Sequence, residues 1–156
     1  MMTDFSDLLR PDTVIQGVAA VAKKALLQQT ATLLAAAHDL DVKAVADVLA
    51  AREKLGSTGF GDGVAIPHAK LPGLTQVIGL FARLSQPIDF QAVDDLPVDV
   101  VFVLLSPTDA GAEHLKALAR VSRRLRDKAF VAKLRGAGST DALYALLTAD
   151  EARDAA

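Results

Sequence analysis

Among the three histidines of the 156-residue chain, one stands in surroundings suited to chemistry. His68 closes the run Gly59-Phe60-Gly61-Asp62-Gly63-Val64-Ala65-Ile66-Pro67-His68 and is followed by Ala69-Lys70. Pro67 has a fixed φ and biases Ile66 to an extended conformation, so the peptide that carries the imidazole is stiff. The glycines upstream leave room for another molecule or another backbone to come close. A neutral imidazole offers a nitrogen lone pair near neutral pH, which makes it the side chain best suited to accept a phosphoryl group and release it again. Such a group spreads negative charge over three oxygens, and its transfer depends on alignment and on cationic or N–H donors around them. Arg52, just before the glycine-rich stretch, and His114, further along the chain, are the candidate donors. A guanidinium fork matches phosphate oxygens, and a residue in the first turns of a helix shares its site with backbone N–H groups that favour an anion. On this chemistry alone, His68 is not separated from an ordinary loop histidine.

The elements that would position these residues follow from periodicity and turn signals. Gly17 to Leu40 is rich in Ala and Leu, with Val21, Ala25, Leu26, Leu33 and Ala36 at roughly helical intervals, which predicts one long helix. Asp41 caps a second helix with Val42, Val45, Ala46 and Leu49 on one face, ending about Glu53 or Lys54. Gly56, Gly59, Gly61 and Gly63 then predict a turn-rich loop. Thr75 to Leu84 and Val98 to Leu105 read as strands ended by Gln86-Pro87 and Ser106-Pro107. Within the second, Val100 through Leu105 do not alternate between apolar and polar residues, which predicts a central strand covered on both faces. Thr108 or Asp109 is expected to cap a helix with Leu115, Leu118, Ser122, Leu125, Ala129 and Ala132 in its apolar stripe and a basic far side of Lys116, Arg120, Arg123, Arg124 and Lys128. Gly136 and Gly138 stop it, and Ser139 or Asp141 starts a last helix through Leu143, Leu146 and Leu147. The sum is an α/β domain, a single unit of mixed β-sheet with helices packing on it.

Composition removes several function classes. Seventeen Lys and Arg against nineteen Asp and Glu leave a formal charge of −2, and with 4% aromatic residues this disfavours nucleic acid as a partner. Cysteine is absent, which excludes disulfides, thiolate metal sites and thiol nucleophiles. No metal-ligand string such as His-Glu-x-x-His occurs, Val64 breaks the dinucleotide fingerprint, and no P-loop is present, so neither a metal nor a nucleotide cofactor is expected. The acidic start lacks a secretory signal, and charges interrupt every apolar run short of a membrane span, so the expected setting is the cytoplasm. His38, beside Asp39 at the end of a helical stretch, is assigned no role.

The strings Arg52-Glu53-Lys54-Leu55-Gly56-Ser57-Thr58-Gly59 and Gly61-Asp62-Gly63-Val64-Ala65-Ile66-Pro67-His68 together resemble the active-site signature of the type 2 (fructose/mannitol) EIIA domains of the bacterial phosphoenolpyruvate phosphotransferase system. The resemblance extends to Pro97 through Leu105, the His114-Leu115 pair, Ala119 through Leu125 and Leu143 through Leu147, and within the family it is strongest to the nitrogen-regulatory branch. It implies the mannitol-type EIIA fold, with helices on both faces of the sheet. It also implies that His68 is phosphorylated on Nε2, that His114 and Arg52 help hold the phosphoryl group, and that the donor is an HPr- or NPr-like carrier whose phosphate comes ultimately from phosphoenolpyruvate. Regulatory target proteins would then respond to the phosphorylation state. Ala69 departs from the glycine that often follows the histidine in the family, which narrows the partner's approach. Two rival expectations stand beside this one: a sugar-specific EIIA that hands phosphate to a separate EIIB subunit, and a binding module that works without phosphorylation.

Overall fold

In a computed structural model of the chain, which describes residues 4–149, the stretch read as a central strand is β6 (Val98–Ser106), at the centre of a six-stranded mixed sheet. The other strands are β1 (Val14–Val18), β2 (Gly59–Gly61), β3 (Val64–Ala65), β4 (His68–Lys70) and β5 (Ile78–Ile88). Their order is β1-β5-β6-β3-β2, with β4 also on β6. β5 runs antiparallel to β6, while β3 and β4 lie parallel to it, one after the other along the same flank.

The unbroken apolar stretch of residues 100–105 within β6 has the expected cause. Val101, Val103 and Leu105 enter one core, shared with Leu26, Leu34, Val45 and Leu49 from helices α1 (Lys23–His38) and α2 (Val42–Lys54). Val100, Phe102 and Leu104 enter the other, shared with Val121, Leu134 and Leu143 from α3 (Gly111–Leu125), α4 (Lys128–Gly136) and α5 (Thr140–Thr148). A strand greasy on both faces is stable only between two helical layers, as here.

Several local expectations hold and several do not. Asp41 caps α2 by accepting from Lys43 N, and Ser139 caps α5 by accepting from Ala142 N. The long helix from Gly17 is instead a strand followed by a shorter helix. Val14, Ile15 and Val18 favour a strand, Gly17 has φ +74° at a register shift in β1, and Val21 lies outside the helix with 94% of its surface exposed. The glycine-rich loop contains a small hairpin, β2–β3, whose turn residues Asp62 and Gly63 both have positive φ, the backbone that a two-residue hairpin requires. Strand β5 continues through Pro87 to Ile88, with an irregularity between Arg83 and Ile88 that accommodates a residue unable to donate to the ladder. Neither Thr108 nor Asp109 caps α3. Residues 107–110 form a turn closed by Ala110 N donating to Pro107 O at 3.2 Å, so the helix begins at Gly111 without a side-chain cap. The long stripe is broken as well: α3 ends at Leu125 and Asp127 caps a new helix, and the buried face of α3 is carried by Ala117, Val121 and Leu125 while Leu115 is exposed. Within the basic face, Arg124 is buried with its guanidinium 3.6 Å from the centroid of Phe130.

Candidate functional site

Parallel pairing places His68 opposite Leu104 and Lys70 opposite Ser106, bringing the C-terminal ends of β4 and β6 to one corner of the sheet. Laterally paired residues point to the same face, so His68 follows Leu104 toward the α3 layer, while Ala69 packs on the α1–α2 core. Helix α3 starts beside that corner and presents His114 from its first turns. The two imidazole centroids lie 5.8 Å apart, a gap that a phosphoryl group on one ring can bridge to a donor on the other.

The His68 ring is oriented by its own peptide. Nδ1 lies 2.7 Å from the carbonyl oxygen of Ile66. A carbonyl only accepts, so the ring proton belongs on Nδ1 and the lone pair on Nε2, at the opposite edge of the ring. The stiff Ile66-Pro67 segment is itself fixed at both ends, by Ile66 N donating to Thr58 O at 3.0 Å and Leu104 N donating to Pro67 O at 2.9 Å. Burial pushes the His68 pKa below its ordinary value, and the nearby Arg52 guanidinium pushes the same way. The bond to Ile66 O and the Glu53 carboxylate oppose them. The neutral, nucleophilic form therefore dominates at neutral pH.

His114 is tied through Nδ1 to Ser106 Oγ at 2.6 Å, and Ser106 is wholly buried. A hydroxyl can donate or accept; in the tautomer in which Ser106 donates to Nδ1, Nε2 carries the proton and can donate to an anion. Burial lowers the His114 pKa, with the positive charge that His68 can take and the Lys70 ammonium adding to the effect. Arg52 closes α2, and its Nη1 donates to Gly56 O at 2.9 Å, which curls the start of the glycine-rich stretch around the guanidinium.

The three residues singled out in the sequence thus come together from α2, β4 and α3. Sequence reasoning missed their supports. Ser106 was legible only as a turn signal before Pro107, and the Ile66 carbonyl carries no side-chain signal at all. Glu53 stands in the sequence only as the end of a helix and a member of the signature string, with no sign of its buried partners. Among the described residues no group of three His, Cys, Asp or Glu side chains is placed to hold a metal ion, and no helix is long and apolar enough to cross a membrane.

The family model described as the phosphoenolpyruvate-dependent sugar phosphotransferase system, EIIA 2, matches residues 7–150. A nitrogen regulatory protein of Bradyrhizobium diazoefficiens is 49% identical over 142 residues, which cover 91% of this chain and 93% of the relative. The crystal structure of the nitrogen regulatory protein IIA-Ntr from Neisseria meningitidis superposes with a TM-score of 0.86 at 36% identity, covering 91% of this chain and 97% of that one. The IIA mannitol structure from Escherichia coli has a TM-score of 0.76 at 19% identity, over 90% of this chain and 99% of that one, and shares the fold. The corner that gathers His68, His114 and Arg52 therefore belongs to a member of the EIIA type 2 family of the phosphoenolpyruvate-dependent phosphotransferase system, similar over 91% of its length to the family's nitrogen regulatory proteins.

Proposed function

We propose that this chain is a phosphocarrier in which His68 Nε2 accepts a phosphoryl group from the phosphohistidine of a small HPr- or NPr-like donor protein, in the nitrogen-regulatory branch of the system. One observation carries the reading: the 2.7 Å contact between Nδ1 and Ile66 O, which commits the ring proton to Nδ1 and leaves Nε2 the free nucleophile. In the transfer, the Nε2 lone pair forms the new N–P bond as the donor's N–P bond breaks and its electron pair returns to the donor ring. The proton on Nδ1 stays where it is. As the bond forms, the His68 ring becomes more positive, so the hydrogen bond to Ile66 O strengthens toward the transition state, and a contact that strengthens there accelerates the step. Arg52 and the Nε2–H of His114 supply charge and a donor for the phosphoryl oxygens.

The transferred group leaves a doubly charged patch at the corner of β4 and α3, which adds strong acceptors and repels acidic neighbours. Regulatory target proteins read that change, and the exchange takes place in the cytoplasm. Incubation with phosphoenolpyruvate, the first enzyme of the system and its carrier is expected to give acid-labile label on the parent and none on His68→Ala. An unlabelled parent would leave the phosphorylation-independent binding module as the reading.

A further inference from the structure

Glu53 is the neighbour of Arg52 in sequence, yet its side chain turns away from solvent, 6% exposed, and pairs with Lys23 Nζ at 2.7 Å, itself 16% exposed. Its carboxylate also accepts from Thr58 N, at 3.1 Å to Oε1 and 3.2 Å to Oε2, and from the Thr58 hydroxyl. A buried ion pair returns little net stability, because desolvation consumes most of the attraction and an apolar pair of the same volume often does as well. Its local effect is larger. The Thr58 carbonyl accepts from Ile66 N at 3.0 Å, and the Ile66 carbonyl accepts from His68 Nδ1 at 2.7 Å. A continuous route of positional holds therefore runs from Lys23 through Glu53, Thr58 and Ile66 to His68; the N–H and C=O of Thr58, like those of Ile66, belong to different peptide groups, so the route passes on position rather than polarisation.

We infer that Glu53 is a positioning residue for phosphoryl transfer, acting through Thr58 and the Ile66 peptide to hold His68 with its proton on Nδ1 and its lone pair on Nε2. The inference rests on His68 being the acceptor. The negative end of the route also favours the positive charge that gathers on the His68 ring as the N–P bond forms, so its effect belongs to kcat rather than to docking of the donor.

The test uses two double variants, each of which removes the charge on both partners so that neither is left buried and unpaired. Lys23→Met/Glu53→Leu loses the acceptor for Thr58. Lys23→Met/Glu53→Gln keeps an amide oxygen in its place. The tautomer of His68 is read by nitrogen NMR on the unphosphorylated protein, and kcat and KM for the phosphorylated donor are measured in parallel. In the leucine variant a substantial share of His68 is expected to move its proton to Nε2, with kcat lower by about tenfold and KM unchanged, on the scale of losing an outer partner in the support of a metal-bound histidine. The glutamine variant is expected to recover most of both. Parent-like tautomer and kcat in the leucine variant would overturn the inference, as would either signal changing without the other. Because the tautomer is read without any donor, an unlabelled parent defeats the acceptor assignment, whereas an indifferent tautomer defeats the role of Glu53.

Discussion

The segment from Gly59 to Lys70 is clamped at both ends, and the two clamps differ in kind. At the hairpin end, Arg135 of α4 reaches over the Asp62–Gly63 turn, donating to Asp62 O at 2.8 Å and to Asp99 Oδ1 at 2.8 Å. This clamp is partly open to water, with side chains 38% and 25% exposed. At the histidine end, the hold comes from a buried pair, Lys23 and Glu53, whose hydrogen bonds pass through Thr58 and Ile66 into the imidazole. The first clamp ends on backbone and on a half-buried carboxylate; the second ends on the carbonyl that, in the proposed transfer, decides which His68 nitrogen attacks. The same short stretch is thus fixed to the sheet at one end and tuned at the other, and variants at the two ends should separate stability from rate.

The largest separation is expected at Arg52, which serves the tuned end. Arg52→Ala removes a guanidinium beside His68 and a single partly exposed bond to Gly56 O. Phosphoryl transfer is expected to slow by roughly 10²–10³-fold, the usual loss for one donor of a transition-state charge, while the melting temperature barely moves. Equal single-turnover rates in mutant and parent would remove Arg52 from the site. At the fixed end, Gly63→Ala reverses the pattern. Gly63 has φ +80°, and a Cβ there would sit 2.5 Å from Arg135 Nη2 and 3.1 Å from Asp99 Oδ1. Denaturant unfolding is expected to show a loss of about 1–3 kcal/mol, with the folded fraction still taking label at the parent rate.

This contrast between the ends also marks what a sequence can express. His68, Arg52 and His114 were singled out by side-chain type and a glycine-proline frame, but only the resemblance of the two strings to a family signature set His68 apart from an ordinary loop histidine. The central strand was legible because its composition demands two helical covers. What escaped was carried by backbone or by partners distant in sequence. The Ile66 carbonyl has no residue type to betray it, and the meeting of Lys23 with Glu53 spans 30 positions. Val14–Val18 was hidden because Gly17 adjoins an Ala-rich stretch that suits a helix, whereas pairing with β5 decides for a strand. The α3–α4 break was hidden because the three-and-four spacing continues across Asp127, whose capping bonds to Ala129 N and Phe130 N start a new helix.

A smaller effect is expected from pH, where the tuned end has a signature of its own. Burial lowers the pKa of His68, His114 and His38 below the ordinary histidine value. For transfer, the neutral His68 ring persists to lower pH than a free imidazole, so the rate should stay flat from neutrality down through about 6.5 and fall only below it. For stability the sign follows from proton uptake. As pH drops below about 6.5 the unfolded chain binds protons on histidines that the folded chain still keeps neutral, so unfolding is favoured; the contribution is fully present above that pH and erodes below it. The melting temperature should accordingly decline on acidification before the transfer rate does. A rate that already falls between pH 8 and 7 would mean that His68 is more basic than its burial implies.

The smallest effect is expected where the fixed end is broken most directly. Arg135→Ala deletes the fork on Asp99 and the bond to Asp62 O together, yet both partners are partly open to water, and a solvent-accessible ion pair typically contributes about 0.2–1 kcal/mol. The hairpin has other supports that survive the change. Asp62 N donates to Asp94 Oδ2 at 2.9 Å, and Asp99 N and Val100 N both donate to Gly63 O, at 3.0 and 3.1 Å. The free energy of unfolding should therefore drop by no more than about 1 kcal/mol, the loss should shrink in high salt as screening removes the attraction, and phosphoryl transfer should match the parent. A fall in the transfer rate without a matching fall in stability would show that the hairpin end also governs the imidazole, and the division of labour between the two clamps would have to be abandoned.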